Sequence, residues 1–297
     1  KSFFKTKINF INRRFELKKM ILIFLLGLQM FTFSVMKTGV KSYDELDHNK
    51  GEVLFYYNDK NQKVSKAKAT YYRKLFTVEN NLSLIVDYEK TGNVFMIARV
   101  KNPNEVDIWE SAEAEGKAFY FNENGNILMS LTFKNGLSNG ERIFYYEDGN
   151  IMVKLNFKNG LREGQQFGYY ENGQLAGQWS YSKGIETGKE KSYYKSGEIM
   201  VDSLMKDDEM VSGNIYYKNG KILMEQTSIT SKKIYDKNGN VLLYFENEQM
   251  FAADKKLVSD KEFKKKYESQ ILKLMEETIL NEEFYSIALI VEGENLE

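Results

Sequence analysis

Three ladders of glycine at a common spacing constrain this chain more than any other feature. Gly116, Gly140, Gly164 and Gly188 lie 24 residues apart, and Gly213 follows 25 later. A second ladder, Gly125, Gly149, Gly173, Gly197, Gly220 and Gly239, has spacings of 24, 24, 24, 23 and 19. A third consists of Gly136, Gly160 and Gly184. Phased recurrence at such a period marks an array of supersecondary units that bury their apolar faces only by stacking on neighbours.

The residues between the glycines specify strands. The second ladder reads Asn124-Gly125, Asp148-Gly149, Asn172-Gly173, Ser196-Gly197, Asn219-Gly220 and Asn238-Gly239. Asn-Gly and Asp-Gly suit type I′ hairpin turns, whose two central residues both need positive φ. An aromatic pair precedes four of these turns: Tyr145-Tyr146, Tyr169-Tyr170, Tyr193-Tyr194 and Tyr216-Tyr217. After the turn, apolar residues alternate, as in Ile127, Met129, Leu131 and Phe133, or Ile151, Val153, Leu155 and Phe157. Period-two alternation places such side chains on one face of a strand. Lys134-Asn135-Gly136 and Lys158-Asn159-Gly160 mark the return to the next hairpin. One hairpin is marginal in water, but a stack of them is not. At ~4.8 Å between strands each unit advances the array by about 10 Å. The expected fold is all-β: an elongated meander of stacked antiparallel β-hairpin repeats with a short C-terminal helix cap.

The pattern Gly-x(4)-Tyr-Tyr-x-x-Gly-x-Ile/Leu, then Phe/Tyr-x-Asn/Lys-Gly-Leu/Ile-x-x-Gly, is complete from Gly140 to Gly164. It resembles the variant MORN repeat of bacterial proteins over about residues 116–245. That resemblance implies a β-hairpin array with an interaction role, as in exported 24-residue repeat proteins or antitoxin-like proteins. It brings no catalytic residue with it. Eukaryotic relatives attach such repeats to phosphatidylinositol phosphate kinases, but the repeats are not the catalytic part.

The expected organisation has four parts: 1–37, an N-terminal extension and signal-like segment; 38–112, degenerate repeats forming an N-terminal cap; 113–250, the repeat array; and 251–297, a helical cap and final strand. In the second part, Glu52–Tyr57 reads as a strand and Tyr88–Asn93 as a turn. In the fourth, Ser259-Asp260-Lys261-Glu262 reads as a capping box with Val258 and Phe263 as its staple. Phe263, Tyr267, Ile271, Leu274 and Met275 form an apolar stripe, so a helix is expected over 259–279, covering the last open edge. A strand is expected over 284–291.

At the N-terminus, Lys18 and Lys19 precede an apolar run from Ile21 to Val35, and polar sequence follows from Lys37. A basic flank and a short apolar run have the layout of a secretory signal, and the run is short for a membrane span. Leu17 or Met20 is the expected translation start. The expected location is therefore exported, with transient membrane contact through this segment; a cytoplasmic location is the alternative.

Net charge is zero, but residues 1–37 hold eight Lys or Arg against one Glu, a local +7, so the remainder carries −7. A mildly acidic body argues against nucleic acid, which demands a basic face. There is no Cys, and His48 is the only His, which leaves no disulfide, thiol catalyst or zinc cluster. His48 reads as part of a solvated linker, and Asp207-Asp208-Glu209 as a surface loop. Gly184-Ile185-Glu186-Thr187-Gly188-Lys189 has three residues between its glycines where a phosphate loop needs four, and Glu190 stands at the Ser/Thr position. No metal, cofactor or enzyme activity is implied.

The aromatic pairs are the candidate site. Tyr146, Tyr170, Tyr194 and Tyr217 occupy one register; Phe121, Tyr145, Tyr169 and Tyr193 occupy the residue before and point to the opposite face. A single-layer meander leaves one face open, and an exposed aromatic stripe marks a binding surface. Tyr146, Tyr170, Tyr194 and Tyr217 are the residues assigned to it, without a decision on which row lies outside. The expected partner is a protein or cell-envelope component. The second reading is a cytosolic antitoxin-like protein that neutralises a partner by surface contact.

Overall fold

The structure is a computed structural model that describes residues 38, 41–107, 113–279 and 287. Among them, twenty strands form one open antiparallel sheet. Each long strand pairs with its neighbours in sequence. The sheet starts at Glu52–Tyr57, flanked by the short strand Lys63–Val64, and runs through Tyr71–Glu79, Leu82–Glu89, Val94–Val100, Ala114–Phe121 and Ile127–Lys134. The regular hairpins follow from Leu137–Tyr145 to Val241–Glu246, and Gln249–Ala252 ends the sheet.

The turns differ from the sequence expectation in an informative way. At Asp148-Gly149 the Gly149 N–H donates to Tyr146 O at 3.0 Å and the Tyr146 N–H to Asn150 O at 2.8 Å. Only Gly149 has positive φ, at 88°; Asp148 does not. This is a three-residue loop with glycine in the left-handed position, the alternative hairpin connection to type I′. The same hydrogen-bond pair recurs at Gly125, Gly173, Gly197, Gly220 and Gly239. The type I′ turns sit instead at the returns. Asn135 (φ 51°) and Gly136 (74°) are both left-handed, as are Asn159 and Gly160, Lys183 and Gly184, and Asp207 and Asp208. The register Lys134↔Leu137 confirms two-residue loops there.

A bulge accompanies each three-residue loop. Phe144 faces Val153 and Tyr145 faces Ile151, so Met152 is an extra residue. A bulge of this kind disturbs the alternation of faces. Ile151, expected inside with Val153, is therefore 37% exposed, and Ile199 is likewise exposed. The bulge residues Ala176, Met200 and Leu223 are buried in their place. From Val153 onward the expected alternation holds, with Val153 and Leu155 buried.

The first part of the sheet buries both faces. Ile85, Ala98, Tyr120, Leu131 and Phe133 pack on one side. Val86, Ile97, Phe119, Phe121 and Ile127 pack on the other, under Tyr43 of the short helix α1 (Lys41–Asp44). On the Ile85 side lies a buried ion pair. Arg73 Nε donates to Asp87 Oδ1 at 2.6 Å, its Nη2 to Asp87 Oδ2 at 2.7 Å, and the Tyr57 hydroxyl donates to the same Oδ2. The guanidinium also reaches the carbonyls of Pro103, Glu105 and Val106, tying down the loop after Val94–Val100.

Beyond Val153 one face carries the core and the C-terminal helices cover it. Ser259 caps helix α2 (Asp260–Lys266), its side chain accepting from the Glu262 N–H; α3 (Glu268–Ile279) follows after Tyr267. Phe263, Tyr267, Ile271 and Leu274 pack in one cluster with Tyr217, Leu223, Ile234 and Leu243. The helices thus lie on the face of the sheet and not over its last edge. That edge is closed by 256–258: Phe251 bridges Leu257, and the Val258 N–H donates to Met250 O. Ile287, expected in a strand, is helical, and the rest of 284–291 lies outside the described residues. Its Cγ2 would stand 2.2 Å from a Cβ at Gly168, so that glycine leaves room for the Ile287 side chain against the sheet.

Candidate binding surface

The Tyr146 row is not an exposed stripe. Tyr170 and Tyr217 are buried, and Tyr146 and Tyr194 are half-buried. Each hydroxyl crosses to the next hairpin and donates to a backbone carbonyl. Tyr146 reaches Tyr169 O at 2.8 Å, Tyr170 reaches Tyr193 O at 2.6 Å, Tyr194 reaches Tyr216 O at 2.6 Å, and Tyr217 reaches Tyr235 O at 2.7 Å. A buried phenol needs a partner for its O–H, and here that partner is always the neighbouring repeat. Burial raises the Tyr194 and Tyr217 hydroxyls to about 12. At the opposite edge the type I′ turns make a second stitch. The N–H groups of Gly136, Gly160 and Gly184 donate to Ala114 O, Ser138 O and Arg162 O of the preceding hairpin.

The row one residue earlier faces outward. Tyr145, Tyr169, Tyr193 and Tyr216 are half-buried and sit directly across from Ile151, Leu175, Ile199 and Ile222. Tyr145 packs against the Phe121 and Ile127 cluster, which fixes this as the face that Tyr43 covers at the N-terminal end. No described helix packs on it further along. The result is a band of alternating tyrosine and aliphatic pairs, repeating at about 10 Å per hairpin. The signal that separates the two rows is the bulge after the turn, which sequence alternation does not show. A second exposed apolar row, Leu137, Leu161 and Ile185, follows the type I′ turns at 24-residue intervals.

No chemistry-bearing cluster competes with this surface among the described residues. No group of three or more His, Cys, Asp or Glu stands where it could hold a metal ion. Gly184 and Gly188 belong to a hairpin return and the start of a strand, with no helix behind them to receive a phosphate. Asp208 sits in a turn, where its Oδ1 accepts the Glu186 N–H. His48 is more anchored than a linker residue: its Nδ1 lies 2.8 Å from the Tyr88 hydroxyl, and its ring meets Phe76 and Tyr88 edge-on. Burial and then Lys74 hold its pKa below the usual histidine range. On the covered face, Glu190 is half-buried and accepts from the Ser203 hydroxyl at 2.6 Å; desolvation raises its pKa.

An open meander of hairpins, stitched at both edges and carrying no catalytic cluster among its described residues, is the architecture of a repeat-based binding scaffold. The repeats are of a recognised kind: residues 114–135, 138–159, 162–183 and 186–207 match the MORN repeat variant, four consecutive repeats within the array. The three-residue loops and tyrosine stitches continue past that match, through Tyr217 and Gly239. No curated protein matches the chain.

Proposed function

We propose that this protein is an exported, non-enzymatic scaffold that binds a protein or cell-envelope component through the outer band of Tyr145, Tyr169, Tyr193 and Tyr216 with their aliphatic partners. The carrying observation is that no described helix covers this band along the array, while the inner tyrosines are spent on holding repeats together. Aromatic rings flanked by aliphatics supply large contact area at low entropic cost, as binding anchors require. Export is supported by Lys18 and Lys19 before the apolar run from Ile21 to Val35, which lies outside the described residues.

The test has two arms. Sequencing the mature N-terminus and locating the native protein decides export: a chain beginning after about Val35 outside the cytoplasm supports it, and an uncleaved cytosolic chain overturns it in favour of the antitoxin-like reading. The combined substitutions Tyr169→Ala and Tyr193→Ala decide the surface. They should abolish binding to envelope fractions and leave cooperative unfolding in place. Unchanged binding would remove the outer band from the reading.

A further inference from the structure

A cavity of about 320 Å³ opens beside the first strands, away from the repeat array. Tyr56 and Tyr72 are cross-strand partners on one wall, and Lys74 lies two residues along the same face. The 3-10 turn Lys66–Lys68 stands against them and contributes Lys66. Lys90, Tyr71, Val53 and Ala69 complete the lining. The turn is held in place from below, since Lys90 Nζ donates to Ala67 O at 3.0 Å and the Lys90 N–H to Thr70 O at 2.8 Å. Lys74 Nζ is oriented by His48 O, also at 3.0 Å.

Three lysines therefore line one small concavity, and none of them is in an ion pair among the described residues. The Glu89 carboxylate, paired across the strands with Tyr71, accepts from Thr91 Oγ1 and Asn93 Nδ2 and forms no ion pair with these lysines among the described residues. Like charges grouped without a counter-ion repel one another and favour an anion between them. Lysine serves phosphate well as a point charge with three donors. Beside the charges are aromatic faces: Tyr56 and Tyr72 have ring centroids 6.0 Å apart, and Tyr72 stacks on Tyr88 at 5.1 Å. The volume is at the small end of the range for ligand sites, about 300–1,000 Å³.

We propose that this cavity is a binding site for a small phosphate monoester whose phosphate is carried on a planar ring. The phosphate sits among Lys66, Lys74 and Lys90, and the ring lies against Tyr56 and Tyr72. The site is separate from the outer tyrosine band, so it stands whether or not that band binds a partner.

Phenyl phosphate is the probe, titrated calorimetrically into the full chain in phosphate-free, low-salt buffer, with inorganic phosphate and phenol as comparison ligands. Saturable one-site binding is expected, at least about tenfold tighter than inorganic phosphate and absent for phenol. The Lys66 ammonium makes no hydrogen bond among the described residues, so Lys66→Gln leaves the fold intact and should weaken binding several-fold. Tyr72→Leu should remove the preference over inorganic phosphate. Absence of saturable binding at about 10 mM overturns the proposal. So does equal affinity for inorganic phosphate, which denies the ring its place, or unchanged affinity in Lys66→Gln, which puts the ligand elsewhere.

Discussion

Replacing Tyr170 with Phe removes one oxygen and isolates the stitch between two hairpins. The hydroxyl is buried and lies 2.6 Å from Tyr193 O. Losing a hydrogen bond of this kind costs about 0.5–1.5 kcal/mol, and leaving a buried partner unsatisfied raises the cost to about 1–3 kcal/mol. We take about 2 kcal/mol as the working value, equivalent to roughly 4–8 °C in Tm for a domain of this size. The matched control is Tyr169→Phe, one residue away, whose hydroxyl makes no hydrogen bond among the described residues; about 0.5 kcal/mol or less is expected there. Urea unfolding followed by tryptophan fluorescence suits the comparison, because Trp179 is buried in the same hairpin as Tyr170. The m-value should not change, since no surface is newly exposed in either state. The pair Tyr146→Phe and Tyr194→Phe, two repeats apart, should add to within about 0.5 kcal/mol if each stitch acts only between neighbours. A Tyr170→Phe midpoint indistinguishable from that of Tyr169→Phe would refute the stitch as a source of stability.

Further expectations concern charge and close approach. Asp87→Asn leaves Arg73 buried against carbonyls alone and should cost about 3–5 kcal/mol by urea titration, with the loop at 102–107 released to proteolysis. The Tyr194 and Tyr217 hydroxyls have folded pKa values of about 12 against an ordinary 10.0, so the folded state holds protons that the unfolded state loses. Their contribution is complete below pH 10 and should decline as pH rises from about 10 towards 12, measured as a falling Tm that the double Phe variant lacks. Glu190→Gln removes a carboxyl whose pKa burial raises. The wild type is penalised as pH climbs from the ordinary glutamate value through the raised one, so the variant should gain on it at pH 7 relative to pH 4 in thermal melts. Gly213→Ala would place a Cβ 2.5 Å from both Asp202 O and Ser203 Cα at φ +141°, and should cost more than about 1 kcal/mol in chemical denaturation.

Much of the array was legible because glycine marks backbone and alternation marks faces. The unit length and the strands follow from those two signals; the helical stretch follows from its capping box and apolar stripe, although it forms two helices that part at Tyr267. The turn types did not, because Asn-Gly serves a type I′ loop at Asn135-Gly136 and a three-residue loop at Asn124-Gly125 equally well. The difference lies in the number of residues between paired strand ends, which depends on register. Placing the aromatic rows failed for the same reason. Met152 is an apolar residue in an apolar run, and nothing in its identity says that it bulges and sends Ile151 outward. The lysine-lined cavity was out of reach because Lys66, Lys74 and Lys90 come from three separate segments without a repeat to align them.

The two stitches run in opposite senses along the chain. The hydroxyls of Tyr146, Tyr170, Tyr194 and Tyr217 donate forward to the later hairpin, and the turn glycines Gly136, Gly160 and Gly184 donate backward to the earlier one. Each unit therefore offers the same donors and acceptors to whatever precedes and follows it. Excising the 24 residues from Tyr146 to Tyr169 would bring Tyr170 to the junction with its own forward acceptor unchanged, and the Gly184 N–H, whose acceptor Arg162 O leaves with the unit, would meet Ser138 O, the acceptor that Gly160 gives up. Whole units can be gained or lost by recombination without redesigning any contact, whereas a partial unit breaks both seams at once. Length is then a heritable variable of this architecture, and the reach of its outer surface can be selected in steps of one hairpin.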